Sequence, residues 1–187
     1  MTDTNKAVQT LALDVVARIA TGMGKPFEKY NRFFVQPIST VLSDQKAPIR
    51  NAALVTLTAI ATACEGIESM VAGIHAGLET ANPVQKGALL NWLNEWFKMN
   101  PPLASLDLST WASPIVTSLD DRSADVRKSA VALIPVLIIC AGYDYVLQQA
   151  NSLKPASRGS AVQHIQTARQ NAAPLPSQPR KFPKHRR

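Results

Sequence analysis

The residues best placed to do chemistry in this chain are cations and amides near helix starts: Asn5, Lys6, Gln45, Lys46, Arg50, Asn82, Lys86, Arg122 and Arg127. Their chemistry is recognition, because lysine and arginine steer and hold an acidic surface while asparagine caps helices or bonds to a partner. Catalytic sets are missing from the pattern. His75, His164 and His185 have no Cys, Asp or Glu at a ligand spacing, so no metal site is expected. No glycine-rich phosphate loop occurs, and no Ser or Cys has a recognisable base beside it. The chain therefore reads as a binding module and not an enzyme, with no cofactor expected.

A pattern that occurs twice fixes how these side chains are positioned. Pro37, Asp44, Ile49 and Arg50 are matched by Pro114, Asp121, Val126 and Arg127, each 77 residues later. Two copies with identical internal spacing, each within a helical hydrophobic pattern, indicate a repeat protein built from helix hairpins. Pro37 and Pro114 fall in a first helix, which they bend. Asp44 and Asp121 close that helix and accept bonds from turn N–H groups. Ile49 and Val126 open the buried side of a second helix. Arg50 and Arg127 follow in its first turn and can pair with an Asp of the same or the next repeat. These positions resemble the HEAT repeat.

Along the chain, Ala7 to Thr21 reads as a second helix without its first, capped by Thr4 or Asn5 and ended by Gly22 and Gly24. Pro26 to Leu42 reads as a first helix and Ile49 to Cys64 as its partner. The middle repeat, Ile67 to Leu78 and then a helix from Asn82-Pro83, lacks both the Pro and the Asp, and puts Lys86 at the place of Arg50 and Arg127. Repeat steps of 36 and 41 residues fit HEAT arrays. Leu108 to Leu119 pairs with Val126 to Cys140. Tyr143 to Ala150 and a last helix to Arg169 finish the stack. The fold class is thus an all-α HEAT-repeat α-solenoid over 1–170, followed at 171–187 by a disordered, Pro-rich basic tail.

Bulk properties agree. Hydrophobic residues make up 46% and aromatic residues 6%, which suits helices packed through Ala, Leu, Ile and Val. Arg180, Lys181, Lys184, Arg186 and Arg187 carry most of the excess charge; without them +7 falls to +2. Cys64 and Cys140, at nearly matching repeat positions, read as buried thiols in a reducing cytosol. No apolar run approaches the ~20 residues that span a bilayer, and 1–6 carry no signal-peptide core.

A more specific resemblance appears towards the C-terminus. Leu119-Asp120-Asp121-Arg122-Ser123-Ala124-Asp125-Val126-Arg127-Lys128, then Pro135, Gly142-Tyr143 and Leu153-Lys154-Pro155-Ala156-Ser157, resemble the end of a TOG domain of the microtubule polymerase family. Asn82-Pro83 with Leu89-Leu90-Asn91-Trp92-Leu93 is similar to the penultimate repeat of such domains. Thr4-Asn5-Lys6-Ala7-Val8 resembles the turn of their third repeat. The resemblance covers roughly 3–170, about three and a half repeats of six. It implies tubulin binding through the intra-repeat turns, in microtubule growth, at plus ends or in spindle organisation, in the cytoplasm and on the cytoskeleton. The family's β-tubulin tryptophan has no counterpart, since Trp92, Trp96 and Trp111 fall inside helices and read as core.

Stacked hairpins put all intra-repeat turns on one rim. The tubulin-contact candidates are Asn5, Lys6, Lys46, Arg50, Asn82, Lys86, Arg122 and Arg127. Five have a structural alternative: a ladder to Asp44 and Asp121 for Arg50 and Arg127, capping for Asn5 and Asn82, and a local ion pair with Asp120, Asp121 or Asp125 for Arg122. Lys46 has no obvious internal partner and Lys86 lacks a same-repeat Asp at the ladder spacing, and contact and solvated charge weigh alike for both. A generic HEAT scaffold for another protein is the alternative function. Nucleic acid, reachable only through the tail, is not the expected partner. The first helix carries Leu11, Val15 and Ile19 with no neighbour to cover them, which implies self-association or a longer chain.

Overall fold

A computed structural model describes residues 5–103 and 105–171. Among them the regular structure is entirely helical: α1 (Lys6–Met23), α2 (Asn31–Val41), α3 (Ala47–Ala63), α4 (Val71–Leu78), α5 (Pro83–Met99), α6 (Ser109–Ser118), α7 (Ala124–Ala141), α8 (Tyr143–Asn151) and α9 (Pro155–Asn171). Short 3-10 turns at Lys25–Tyr30 and Glu68–Met70 precede α2 and α4. The expected all-α HEAT solenoid is the fold found. The basic tail from 172 onward lies outside the described residues.

The helices form two layers. One holds α2, α4, α6 and α8, each packed on the next. The other holds α1, α3, α5, α7 and α9. Contacts between α1 and α3, α5 and α7, and α7 and α9 run along this second layer. Between α3 and α5 the Trp92 indole N–H donates to Thr58 Oγ1 at 2.9 Å. The core runs unbroken between the layers, from Leu13 and Phe27 through Ile60 and Trp111 to Ile165. Burying such side chains is worth about 1.5–3 kcal/mol each before entropy is charged against it.

Small residues set the layer spacing. Gly73 and Gly77 lie one turn apart on the face of α4 that meets α2. A Cβ on Gly73 would fall 2.7 Å from Val35 Cβ, and one on Gly77 2.8 Å from Ser39 Oγ. Trp111 is buried and its indole N–H donates to the Val71 carbonyl at 3.0 Å, tying α6 to α4. Trp92 is buried as well, while Trp96 is half-buried and stacks on it with ring centroids 6.2 Å apart.

One expected helix is divided. The stretch from Pro26 to Leu42 begins as a 3-10 turn and becomes α-helical only at Asn31. Asn31 is buried at the junction and its amide donates to Ser69 Oγ at 2.7 Å. That bond anchors the junction to the 3-10 turn of the next repeat, a constraint no local pattern reveals. Phe27 packs under it, 5.7 Å from the Phe34 ring.

The face of α1 follows the expectation from the sequence. Leu13, Val16 and Ala20 are buried against α3, while Val8, Leu11, Val15, Ile19 and Met23 are exposed, Leu11 to 63%. They form an apolar stripe at helical spacing on the end of the stack.

Candidate functional site

The second-layer helices all run the same way, so their N-termini and the turns before them lie along one rim. These are the segments around Asn5, Asp44, Asn82, Asp121 and Lys154, each leading into a helix. Direct bonds tie neighbouring turns together. The Lys6 ammonium pairs with the Asp44 carboxylate, joining the first two. Lys86 Nζ lies 3.5 Å from Asp121 Oδ2, joining the third and fourth. The Ser157 hydroxyl donates to Asp120, joining the fourth and fifth. The second and third turns are held by the close packing of Ser39 against Gly77, each within a turn of its helix end.

Each turn is built by the residues its sequence singles out. Asn5 Oδ1 accepts from the Ala7 N–H at 3.0 Å, and Asn82 Oδ1 accepts from Val84 and Gln85 at 2.9 and 3.1 Å. Both asparagines are helix caps. The Asp44 carboxylate accepts from the Lys46 N–H at 2.8 Å, and Asp121 from the Ser123 N–H at 2.9 Å, the expected role of the repeated aspartate. The Lys6 ammonium, with the Lys46 N–H second, holds the Asp44 carboxyl below the usual carboxylate range.

The arginines do something different from the expected carboxylate ladder. Arg50 donates to the carbonyls of Asp44 and Gln45 at 2.7 and 2.9 Å. Arg127 donates to those of Asp121 and Arg122 at 2.7 and 3.1 Å. The guanidinium clips the turn's carbonyls to the following helix, which leaves the aspartate side chains for lysines of the preceding turn. The ladder along the stack is therefore Lys–Asp and not Asp–Arg.

The remaining rim cations differ in their partners. Lys86 has no same-repeat Asp, as expected, but it is half-buried and pairs with Asp121 of the next repeat, so it is not an ordinary solvated charge. Lys6 is likewise engaged with Asp44. Arg122 makes no ion pair with Asp120, Asp121 or Asp125 and is exposed; only its carbonyl is used, by Arg127. Lys46 agrees with the sequence reading, being exposed with its ammonium in no ion pair among the described residues.

The fifth turn adds residues that the candidate set omitted. Lys154 is exposed on it, and Arg158 donates to the Leu153 carbonyl at 3.2 Å. Arg158 is the fourth residue of α9, as Arg50, Lys86 and Arg127 are the fourth residues of α3, α5 and α7. Pro155-x-x-Arg158 repeats the spacing Pro83-x-x-Lys86, and that was the available signal. Lys86, Asp121, Arg122, Lys154 and Ser157 line an open cleft of about 580 Å³ that spans the last three turns.

The rim thus holds two kinds of cation. Lys6, Lys86, Arg50, Arg127 and Arg158 are spent on holding turns together. Lys46, Arg122 and Lys154 project from the second, fourth and fifth turns. Among the described residues no group of three metal-ligating side chains occurs, and no helix is long and apolar enough to cross a membrane.

An all-helical stack of hairpins with its turns along one cationic rim is a HEAT-repeat α-solenoid. No family model matches the chain. A chain from work on microtubule plus end tracking by XMAP215, CLIP-170 and EB1 superposes with a TM-score of 0.63 at 20% identity, over 89% of this chain and 69% of that one. A second, from work on TOG–tubulin binding specificity, microtubule dynamics and mitotic spindle formation, gives 0.60 at 19%, over 88% and 63%. By sequence the chain is a relative of Centrosomal protein 224 of Dictyostelium discoideum, 25% identical over 163 residues. It is also a relative of Protein mini spindles of Drosophila melanogaster, 27% identical over 196. These alignments take in 86% and 96% of this chain but 8% and 10% of the relatives, so the chain spans about a tenth of their length.

Proposed function

We propose that the chain is a tubulin-binding TOG-like module that contributes to microtubule polymerisation and to plus-end or spindle organisation, acting on the cytoskeleton. It is a binding module and not an enzyme in this reading. The observation that carries it is the rim: Lys46, Arg122 and Lys154 project from three turns of one edge, with ammonium and guanidinium groups free of ion pairs among the described residues. An edge of that kind suits an extended acidic partner, which tubulin is. The names of the sequence relatives and the subjects of the superposed structures, centrosome, spindle, microtubule plus end and TOG–tubulin binding, favour tubulin over other acidic proteins.

Within this reading the roles divide. Lys46, Arg122 and Lys154 meet the partner. Lys6, Lys86, Arg50 and Arg127 keep the turns in register, and Asn5 and Asn82 cap the helices behind them. Co-elution of the chain with soluble tubulin on a sizing column tests the assignment. A complex that dissolves as salt rises is expected, since rim charges are screened over a Debye length of about 8 Å at physiological ionic strength. No complex with tubulin at low salt, alongside stable capture of a different acidic protein, would move the chain to a general HEAT scaffold.

A further inference from the structure

Opposite the turn rim, a second cleft opens where α3 and α5 end. Its volume is about 280 Å³, with walls that include Trp96, Phe97, Pro101 and Pro102 and, as the only charged residues, Glu65 and Glu68. We infer that this cleft is a docking site for the chain's own basic, proline-containing segment 172–187.

Three observations carry this. First, chemistry: Pro174, Pro176 and Pro179 lead into Arg180 and Lys181, Pro183 and Lys184 follow, and the segment has no acid. Proline-rich segments dock in aromatic-lined grooves, and the half-buried Trp96 supplies such a wall. Two carboxylates at the lip complement the segment's cations.

Second, Glu65 stands at a place where glycine is favoured. α3 ends in a Schellman turn, the Gly66 N–H bonding to the Ala61 carbonyl at 2.9 Å. The left-handed position within it, φ +60°, is taken by Glu65, the one non-glycine residue of positive φ among those described. A side chain kept where its backbone is strained points to use of that side chain. Its visible partner is weak: Lys25 Nζ at 3.4 Å, with both side chains more than half exposed.

Third, reach. α9 runs in the same sense as α3 and α5, so Asn171 leaves the stack on the rim that holds the cleft. Arg169 marks this end, its guanidinium over the Tyr143 ring at 4.0 Å, beside the Gly142 that closes α7. From α9 across α7 and α5 to the end of α3, which Glu65 and Glu68 follow, is three interhelix spacings, about 27 Å. Nine residues in the polyproline conformation cover roughly 28 Å, which brings Arg180 and Lys181 to the carboxylates. The turn rim stays open, so docking is compatible with the proposed function and independent of it.

Zero-length carbodiimide coupling of the full chain at low salt tests the docking. Lys181 or Lys184 should couple to Glu65 or Glu68 within the monomer band, and coupling should vanish in a Glu65→Gln, Glu68→Gln variant and at about 0.5 M salt. Coupling spread over carboxylates of both rims, or confined to a dimer band, would overturn the assignment. As a second readout, tryptic cleavage after Lys181 should quicken by roughly threefold in that variant, as expected for a weak tethered contact. An unchanged rate would also overturn it.

Discussion

Lys86 and Asp121 face each other across two repeats, 3.5 Å apart, with side chains only 14% and 18% exposed. Neither charge is fully solvated, so removing one leaves the other poorly paired in a half-buried place. Lys86→Ala should lower stability by about 1 kcal/mol, more than a fully exposed pair would lose. A denaturant titration of Lys86→Ala, Asp121→Ala and the double variant measures the coupling. Additive losses would show that the two residues do not support each other.

The Lys6–Asp44 pair makes a pH prediction. Asp44's carboxyl is held below its usual range by Lys6 first and by the Lys46 N–H second. A carboxyl whose folded pKa is depressed adds stability above its unfolded value, about 3.9. That contribution fades as pH falls through the folded value. Lys6→Met should therefore be less stable than the parent at neutral pH, with the gap closing in strongly acidic solution. Thermal melts at the two pH values check this; an equal gap at both would remove the pair from the stability of the rim.

Cys140 should be sluggish towards alkylation despite its partial exposure. Burial first, and the Asp107 carboxylate second, push its thiol up to about 11. At pH 8 the thiolate fraction is then about one in a thousand, and labelling of the folded chain should run roughly a hundredfold slower than for a free cysteine. Cys64 is raised too, by burial above all. Iodoacetamide labelling followed by mass spectrometry reads both sites; rapid labelling of Cys140 in native buffer contradicts the burial assigned to it.

The exposed stripe on α1 should make the chain associate as concentration rises. Val8, Leu11, Val15 and Ile19 are all more than two-fifths exposed, a patch of the kind that seeks a partner surface. Leu11→Gln with Ile19→Gln should reduce association in sedimentation with little loss of stability, because neither side chain supports the core. A parent chain that remains monomeric at high concentration would show that the stripe is tolerated in water.

How much of this was legible in the sequence depends on the range of each interaction. The hairpins were, because Pro, Asp and Arg recur at fixed offsets, and the backbone needs met by Asp44, Asn82 and Asp121 lie within three residues of each. The pairing along the stack was not. Lys86 finds its carboxylate 35 residues on, in the next repeat, and Lys6 finds Asp44 38 residues on. A search confined to one repeat leaves both lysines free. Arg50 and Arg127 were placed correctly, but their bonds go to carbonyls, which every residue has and no sequence marks. Arg158 lies in a repeat with neither the aspartate that flags Arg50 and Arg127 nor the Asn-Pro start that flags Lys86. The break before α2 escaped because Asn31 is fixed from Ser69.

The proposed division of rim cations into those that bind tubulin and those that hold the fold is tested most directly by a tubulin titration of two variant sets. Lys46→Ala, Arg122→Ala, Lys154→Ala should keep the parent's melting temperature and weaken binding by roughly thirtyfold, from about 2 kcal/mol spread over three exposed charges. Lys6→Met, Lys86→Met should melt lower and, below its melting range, bind within a few-fold of the parent. The reverse pattern, with full affinity in the first set and binding abolished in a folded second set, would contradict the division and the rim geometry behind it.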